Sequence, residues 1–351
     1  MLALNFKRLS AMATAVGFSL VLGASVQTAA AADVTLNYSP WLPDGYPLNA
    51  AVLKPWMAEI ETATEGRVKF NWLPKAVGKA TAQFDVVHDG LADLALVLPG
   101  YTPGRFELIE LGELPLLSSD VSKLGPAFYD IYAEHLDALE PFKGTHVLSI
   151  WSTIPTHVVS SKGLIKDVAD FNGLKLRAPS ATAGLIMEAL GSVPVQKPVS
   201  EIYELASTGI IDGSFFPIST TYDFKVDGPL HFFTLIPGGL GQSVMALLVN
   251  QEKWDAISDA DKATIMAISG AKIAGAAGTL FQAAELKAIA RTESERPTEI
   301  ATASPELAAA IEAKLAPIFD AWYAKASAKG LADPQAVLAE FRAKLAAPAS
   351  N

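Results

Sequence analysis

Gly173-Leu174-Lys175-Leu176-Arg177-Ala178-Pro179-Ser180 decides the fold, because it predicts a strand that brings an arginine to the start of a helix. Leucine alternates with a basic residue in this stretch, as in a half-buried strand, and the proline ends the ladder. Ser180 is suited to cap a helix over 181–190, and Gly191 is suited to end that helix in the left-handed conformation. A guanidinium beside the free N–H groups of a helix start can hold a carboxylate, so Arg177 is predicted to bind an anion.

Short motifs along the rest of the chain give this stretch a family resemblance. The upstream motifs are Thr64-Glu65-Gly66-Arg67-Val68-Lys69, Gly90-Leu91-Ala92-Asp93-Leu94 and Leu114-Pro115. The downstream motifs are Val193-Pro194-Val195, Ser200-Glu201-Ile202-Tyr203-Glu204-Leu205, Gly209-Ile210-Ile211-Asp212-Gly213, Asn250-Gln251-Glu252-Lys253-Trp254 and Ser258-Asp259-Ala260-Asp261. In this order and spacing they resemble the substrate-binding proteins of tripartite ATP-independent periplasmic (TRAP) transporters, the family related to C4-dicarboxylate-binding proteins.

The resemblance covers essentially the whole mature chain. It implies an α/β fold of the two-lobed periplasmic substrate-binding type, with hinge strands and a long helix that bridges the lobes. It also implies that an organic acid is captured in a cleft between the lobes and delivered to the small and large subunits of a membrane permease.

The first 32 residues are predicted to be a signal peptide. Lys7 and Arg8 precede an apolar run over 11–26, and Ala30-Ala31-Ala32 offers a cleavage site before Asp33. A transmembrane anchor is the alternative, but the apolar run is short for a span of ~20 residues. The chain contains no cysteine, which excludes a lipid anchor on cysteine and disulfide bonds. We expect a protein exported to the periplasm and cleaved near Ala32.

Size and charge restrict the class of protein further. Removing residues 1–32 leaves 319 residues, enough for two domains of ~100–200 residues each. The mature chain keeps 25 basic and 37 acidic residues, a formal charge of −12, which makes nucleic acid an unfavourable partner. We expect a monomer whose anion site depends on a local positive group.

Apolar periodicity predicts the order of the elements. It predicts strands over 34–38, 68–72, 94–98, 145–151 and 244–249. It predicts helices over 48–63, 121–139, 258–294, 305–325 and 334–346. By the resemblance, lobe I comprises 33–155 plus 243–283, and lobe II comprises 156–242 plus 284–351 with the C-terminal helices.

Ring-bearing side chains in the loops are candidates for the ligand cleft. Trp41 follows the first predicted strand, and open α/β sheets bind ligands beyond the carboxyl ends of their strands. By the resemblance, Tyr101 and Trp151 belong to the cleft wall. His157 lies near the predicted crossing between the lobes, although a single histidine without a partner identifies no chemistry.

Phe215 and Phe216 depart from the family pattern, in which several relatives carry an acidic residue and an asparagine after the Asp-Gly pair. Alternation along a strand predicts that one ring belongs to the core, and we assign Phe216 to the cleft. A hydroxyl-rich ligand would face these rings at a loss of roughly 1–3 kcal/mol per unpaired group. The lost carboxylate also removes a metal ligand, so we expect no metal and no cofactor.

The sequence gives no support to an enzyme. It lacks the H-E-x-x-H, G-x-S-x-G and P-loop motifs, and it lacks a cysteine nucleophile. Its five histidines, at positions 88, 135, 146, 157 and 231, are scattered without metal-ligand spacing.

We therefore expect a non-enzymatic TRAP solute-binding protein. Its favoured ligand is an aromatic or apolar monocarboxylate or a 2-oxo acid of that kind, because one arginine is placed among many rings. The alternatives are a C4-dicarboxylate as ligand, and presentation of the ligand to a membrane sensor instead of transport.

Overall fold

The computed structural model describes residues 33–294 and 299–347, which are organised around two β-sheets. The predicted signal peptide lies outside the described residues. The strands are β1 (Val34–Ser39), β2 (Val68–Trp72), β3 (Leu94–Val97), β4 (Thr145–Ser152), β5 (His157–Ser160), β6 (Lys175–Ala178), β7 (Val193–Gln196), β8 (Gly213–Phe216), β9 (Phe232–Leu235), β10 (Val244–Asn250) and β11 (Glu299–Thr302). All five strands predicted from periodicity are confirmed.

The first sheet has the order β2-β1-β3-β10-β4. Strand β1 is parallel to β2 and β3, whereas β10 is antiparallel to β3 and β4. Strand β3 is buried along its whole length, as its continuous apolar run predicts for a strand covered on both faces.

The second sheet has the order β11-β9-β5-β8-β6-β7. The Arg177 strand β6 is parallel to both of its neighbours, and Arg177 is paired with Ser214 of β8 on one side and Val195 of β7 on the other. Strand β5 is antiparallel to β8 and β9. The predicted lobes divide the strands in the same way as the two sheets, and the lobe boundaries themselves stay a prediction.

Helices cover both sheets. They are α1 (Lys54–Ala63), α2 (Gln83–His88), α3 (Val121–Ile131), α4 (Ala181–Leu190), α5 (Ile202–Ser207), α6 (Ile218–Asp223), α7 (Gln251–Asp255), α8 (Asp259–Ala267), α9 (Ala271–Ser294), α10 (Pro305–Ala328) and α11 (Pro334–Ala346). A π-helical turn, Asn49–Leu53, leads into α1, and another, Tyr132–Leu136, follows α3. These turns account for the wider spans that the sequence predicts as helices over 48–63 and 121–139.

The helix after Arg177 forms as its caps predict. The Ser180 hydroxyl accepts a hydrogen bond from the N–H of Ala183 at 3.2 Å, and Gly191 ends α4 with φ of 98°. Glycine adopts that conformation without the steric penalty of a side chain. The strand and helix bounds around Arg177 therefore follow from local sequence alone.

The long segment predicted as one helix over 258–294 is bent, with α8 and α9 on either side of a break at 268–270. The N–H of Gly270 donates to the carbonyl of Leu148, and the carbonyl of Gly270 accepts from the Ser149 hydroxyl at 2.7 Å. Strand β4 thus takes the hydrogen-bonding groups that a continuous helix would use internally. Gly270 has φ of 52°, which suits glycine at the bend.

The C-terminal helices brace the structure from outside. Helix α10 packs on α4, and α11 packs on α3, where the rings of Phe128 and Phe341 lie 5.8 Å apart. The Ser304 hydroxyl and the Asp333 carboxylate cap their N-termini. These contacts support the back of the helix that follows Arg177.

Candidate functional site

A cavity of about 60 Å³ lies among residues from both sheets and from helix α9. This volume is several times the ~10–15 Å³ that one water molecule requires. The wall includes loops after β1 and β3, the β4 to β5 connection, the carboxyl ends of β6 and β8, and the start of β10. Carboxyl ends of parallel strands are the usual ligand-binding edge of α/β sheets, so this cavity is the candidate site.

Arg177 lies in this cavity at the end of β6. The residue is 2% exposed, and its Nε donates to the carbonyl oxygen of Lys197 at 2.7 Å. Within residues 33–294 and 299–347, no carboxylate oxygen lies within 4.0 Å of its guanidinium nitrogens. Burial lowers the pKa of Arg177, and the neighbouring Tyr101 hydroxyl opposes that shift. A buried guanidinium with this geometry can pair with the carboxylate of a ligand.

Tyr101 and Trp41 form one wall of the cavity. The Tyr101 hydroxyl accepts a hydrogen bond from the N–H of Val199 at 3.1 Å, which joins the loop after β3 to the segment after β7. The Trp41 indole donates to the carbonyl of Leu96 at 2.7 Å, and the two rings meet edge to face at 6.1 Å. Both rings are fixed by polar contacts, so they present rigid apolar surface.

Phe215 and Phe216 at the end of β8 both line the cavity. The Cζ atom of Arg177 lies 5.9 Å from the centroid of the Phe216 ring, and the Phe224 ring lies 6.4 Å beyond Phe216. The assignment of Phe216 to the cleft agrees with this placement, but Phe215 is not confined to the core.

Trp151 and His157 do not contribute to the cavity wall. The Trp151 side chain is fully buried between β4 and the α3–α9 pair, where Gly125 allows the close approach. The ring Nδ1 of His157 accepts a hydrogen bond from the N–H of Ile236 at 3.1 Å. Burial lowers the pKa of His157 to about 4, so the ring is neutral at pH 7. Its hydrogen bond joins β5 to the segment that follows β9.

Tyr46, Thr220 and Phe224 are among the cavity residues that the sequence-based candidates do not include. Tyr46 lies in the same Pro/Gly-rich loop as Trp41, and Thr220 and Phe224 lie in or just after α6. The loop position was a usable signal for Tyr46. The other two reach the cavity only because α6 turns back across the end of β8, which no local pattern reveals.

Glu113 is a buried acid beside the start of α4. It is 4% exposed, and its Oε2 has no hydrogen-bond partner. Burial raises the pKa of Glu113 to about 8, although hydrogen bonding to the Ser180 side chain opposes the rise. Gly100 fits between Glu113 and Ser180, where a Cβ atom would lie 2.5 Å from Glu113 Oε1. Glu113 is not part of the cavity wall.

Glu134, His135 and Glu340 bring three potential metal ligands within 4.8 Å of one another, on the π-helical turn after α3 and on α11. The Nζ atom of Lys344 lies 3.2 Å from Glu134 and 3.6 Å from Glu340. This ammonium group pairs with both glutamates, and His135 Nε2 lies 2.8 Å from Glu340, so the cluster is better described as a surface ion-pair network.

Comparison with known proteins connects this architecture to a family. Residues 38–326 match the family described as bacterial extracellular solute-binding protein, family 7. A TRAP periplasmic solute-binding protein from Bordetella bronchiseptica, solved with bound (R)- and (S)-mandelate, is 35% identical, with a TM-score of 0.85. That match covers 89% of this chain and 98% of the other.

Two further relatives show the range of the family. A TRAP solute-binding protein from Rhodoferax ferrireducens, solved with copurified benzoate, is 27% identical with a TM-score of 0.81. Its match covers 89% of this chain and 98% of that one. The C4-dicarboxylate-binding periplasmic protein DctP of Rhodobacter capsulatus is 26% identical over 84% of this chain and 96% of its own length.

The family and the two-lobed α/β fold are those of non-enzymatic periplasmic proteins that bind small organic acids and work with membrane permease subunits. The chain therefore belongs to family 7 of the bacterial extracellular solute-binding proteins, the substrate-binding proteins of TRAP transporters.

Proposed function

We propose that this protein captures an aromatic monocarboxylate, or an apolar 2-oxo acid, and delivers it to a TRAP permease. One observation carries the proposal: Arg177 is buried without an acidic partner among the residues that the structure describes, in a cavity whose wall includes Trp41, Tyr101 and Phe216. The same residues form the proposed binding site, together with Phe215.

The proposed ligand matches this wall chemically. Its carboxylate pairs with the Arg177 fork, and its apolar body contacts the rings. Burying ~100 Å² of ligand hydrocarbon at ~25 cal/mol per Å² contributes about 2.5 kcal/mol, which is comparable to one charge-assisted hydrogen bond. Arg177 is the one cationic residue among the described residues that line the cavity, which favours one carboxylate over two.

The comparisons support an aromatic ligand more than a C4-dicarboxylate. The Bordetella protein with mandelate is 35% identical, and the Rhodoferax protein with benzoate is 27% identical over a similar span. The Rhodobacter C4-dicarboxylate-binding protein is 26% identical and keeps the alternative ligand class open to test.

Closure around the ligand is the proposed mechanism. The hydrogen bond from Val199 to Tyr101 spans the two sheets next to Arg177, so it forms when the cleft is shut. Burial of the ligand then stabilises the closed state. We further propose that the protein acts as a monomer, is cleaved near Ala32, and returns its ligand chemically unchanged.

Calorimetry on the purified mature protein tests the proposal. Benzoate, mandelate and phenylpyruvate should bind more tightly than succinate, and Phe216→Asn should reduce that preference because it replaces apolar surface by an amide. Tighter binding of succinate by the parent, with the same preference in Phe216→Asn, contradicts the aromatic assignment.

Two controls separate binding from catalysis. Mass spectrometry of the ligand recovered after incubation should show the starting acid alone. Binding should also persist in the presence of a strong chelator. A converted product would instead establish an enzymatic activity.

A further inference from the structure

The cavity has a second polar end, which the Arg177 carboxylate site does not use. Tyr46 and Thr220 line the cavity, and so do the rings of Phe216 and Phe224, the first of which lies 5.9 Å from the Cζ atom of Arg177. The Phe224 ring lies 6.1 Å from the Tyr46 ring and 6.4 Å from the Phe216 ring. A ligand aligned along these rings reaches Tyr46 with the end opposite its carboxylate.

The groups around this second end are acidic. Glu285 of α9 accepts hydrogen bonds from the N–H groups of Ile218 and Ser219 at 2.9 Å each, and from the Ser219 hydroxyl at 2.7 Å. Asp223 is the last residue of α6. Burial raises the pKa of Tyr46, and the nearby charges of Asp223 and Glu285 raise it further.

These acids lie behind Tyr46 and Thr220, since neither Asp223 nor Glu285 lines the cavity. The Thr220 hydroxyl interacts with the Tyr46 hydroxyl, and each oxygen keeps capacity for another hydrogen bond. The cavity is therefore polarised, with a cation at one end and hydroxyl groups in a negative environment at the other. Such an end favours a hydrogen-bond donor and disfavours a second anion.

We propose that Tyr46 and Thr220 form a subsite that selects a hydroxyl group on the ligand's ring and rejects a second carboxylate. The inference rests on the proposed function and narrows it, from aromatic monocarboxylates in general to monohydroxylated ones. A phenolic hydroxyl fits because it can donate one hydrogen bond and accept another, which the Tyr46–Thr220 pair can match.

The subsite also explains how the protein separates related acids. A second carboxylate placed near Tyr46 loses its hydration and approaches Asp223 and Glu285, so like-charge repulsion adds to desolvation. An unsubstituted ring leaves the two hydroxyl groups without a ligand partner. The monohydroxylated ring avoids both penalties.

Calorimetric titration of the mature protein with benzoate, 3-hydroxybenzoate, 4-hydroxybenzoate and isophthalate tests the subsite. The tighter of the two hydroxybenzoates should bind about tenfold more tightly than benzoate, the size expected for one buried hydrogen bond with partly charged surroundings. Isophthalate should bind at least tenfold more weakly than benzoate.

Variants assign the preference to residues. Tyr46→Phe and Thr220→Val should each reduce the hydroxybenzoate preference, measured as the ratio of the two affinities in the same variant, to less than about threefold. Tyr222→Phe is the matched control, because its hydroxyl bonds to Thr292 at 2.8 Å outside the cavity. It should keep the tenfold preference. Asp223→Asn should narrow the gap between isophthalate and benzoate.

These measurements can contradict the hydroxyl subsite without contradicting the proposed function. If benzoate binds as tightly as both hydroxybenzoates, or if Tyr46→Phe keeps the full preference, the subsite is wrong while the proposed function stands. If none of the aromatic monocarboxylates binds, the proposed function itself fails.

Discussion

Two arginines in this molecule differ in their exposure and in their partners. Arg67, next to β2, has a side chain that is 35% exposed, and it bonds to both carboxylate oxygens of Asp261 through Nε at 3.2 and 3.1 Å. Arg177, at the end of β6, is 2% exposed, and its Nε donates to the backbone carbonyl of Lys197. Within the part of the chain that the structure describes, the accessible arginine is thus paired with an acid, and the buried one is not.

The contrast separates a structural charge from one available to a ligand. Arg67 ties the first sheet to the start of α8, and its pairing with Asp261 leaves neither charge uncompensated. Arg177 is a buried charge without a carboxylate partner among the described residues, which is unfavourable for folding unless an anion arrives. Strongly perturbed groups in clefts are frequent at functional sites, and the difference between the two arginines is consistent with that rule.

The largest effect should come from Arg177→Ala. We expect a loss of about 2–5 kcal/mol in affinity for the cognate acid, because the ligand carboxylate would be buried without a partner. The unfolding temperature without ligand should stay unchanged or rise, since an uncompensated buried charge is removed. Calorimetry and thermal unfolding on the same preparation measure both quantities.

Arg67→Ala is the matched control for that substitution. It should lower the unfolding temperature and leave the ligand affinity unchanged. Equal loss of affinity in both variants would mean that the two arginines do not differ in role.

A buried group of the opposite sign extends the comparison. Glu113 titrates near pH 4.5 in the unfolded chain, whereas burial raises its folded pKa to about 8. Stability is therefore highest below the unfolded pKa and falls as the pH rises from about 4.5 to 8. Glu113→Gln should remove this loss, with a gain of at most about 5 kcal/mol at pH 9 and almost none at pH 4.

At ~2–4 °C per kcal/mol, the gain for Glu113→Gln is at most about 10–20 °C in unfolding temperature at pH 9. Thermal unfolding from pH 4 to pH 9 measures it. Parallel curves for the parent and the variant would show that Glu113 does not carry the pH dependence.

Sequence reasoning performs differently for local and distant features of this chain. The strand, cap and terminator around Arg177 form as predicted, because each depends on residues within one turn of the chain. The bend at Gly270 was missed because its cause is a pair of hydrogen bonds from β4, more than a hundred residues away.

The candidate site shows the same division. Trp41 follows a strand end, where the fold class alone predicts a ligand edge, and Tyr101 was predicted from the family resemblance. Both line the cavity. Trp151 lies within β4, and its side chain faces the α3–α9 pair. Alternation along the strand cannot predict which face of β4 these helices cover. Thr220 reaches the cavity through a helix whose path depends on Glu285 of α9.

A smaller effect should come from Arg177→Lys. An ammonium keeps the charge but lacks the planar fork that matches a carboxylate at two points. We expect a loss of about 1–2 kcal/mol in affinity, well below the loss in Arg177→Ala. Calorimetry with one ligand across the parent and both variants gives the order, and equal losses in the two variants would mean that charge alone does not support binding.

The smallest effect concerns the paired arginine. Hydrogen bonding from Arg67 lowers the pKa of Asp261, with burial opposing the shift. A lowered folded pKa gives stability that is present above the unfolded value of ~3.9 and is lost as the pH falls through the folded value. Arg67→Ala should therefore move acid unfolding to a higher pH while leaving ligand affinity at pH 7 unchanged. Circular dichroism between pH 2 and pH 6 follows the transition, with Lys143→Ala as control because its side chain is 81% exposed and contacts Glu140 alone among the described acids. If the midpoint pH of acid unfolding is the same in Arg67→Ala and in the parent, Arg67 does not stabilise the fold through Asp261, and the two arginines do not differ in the way we describe.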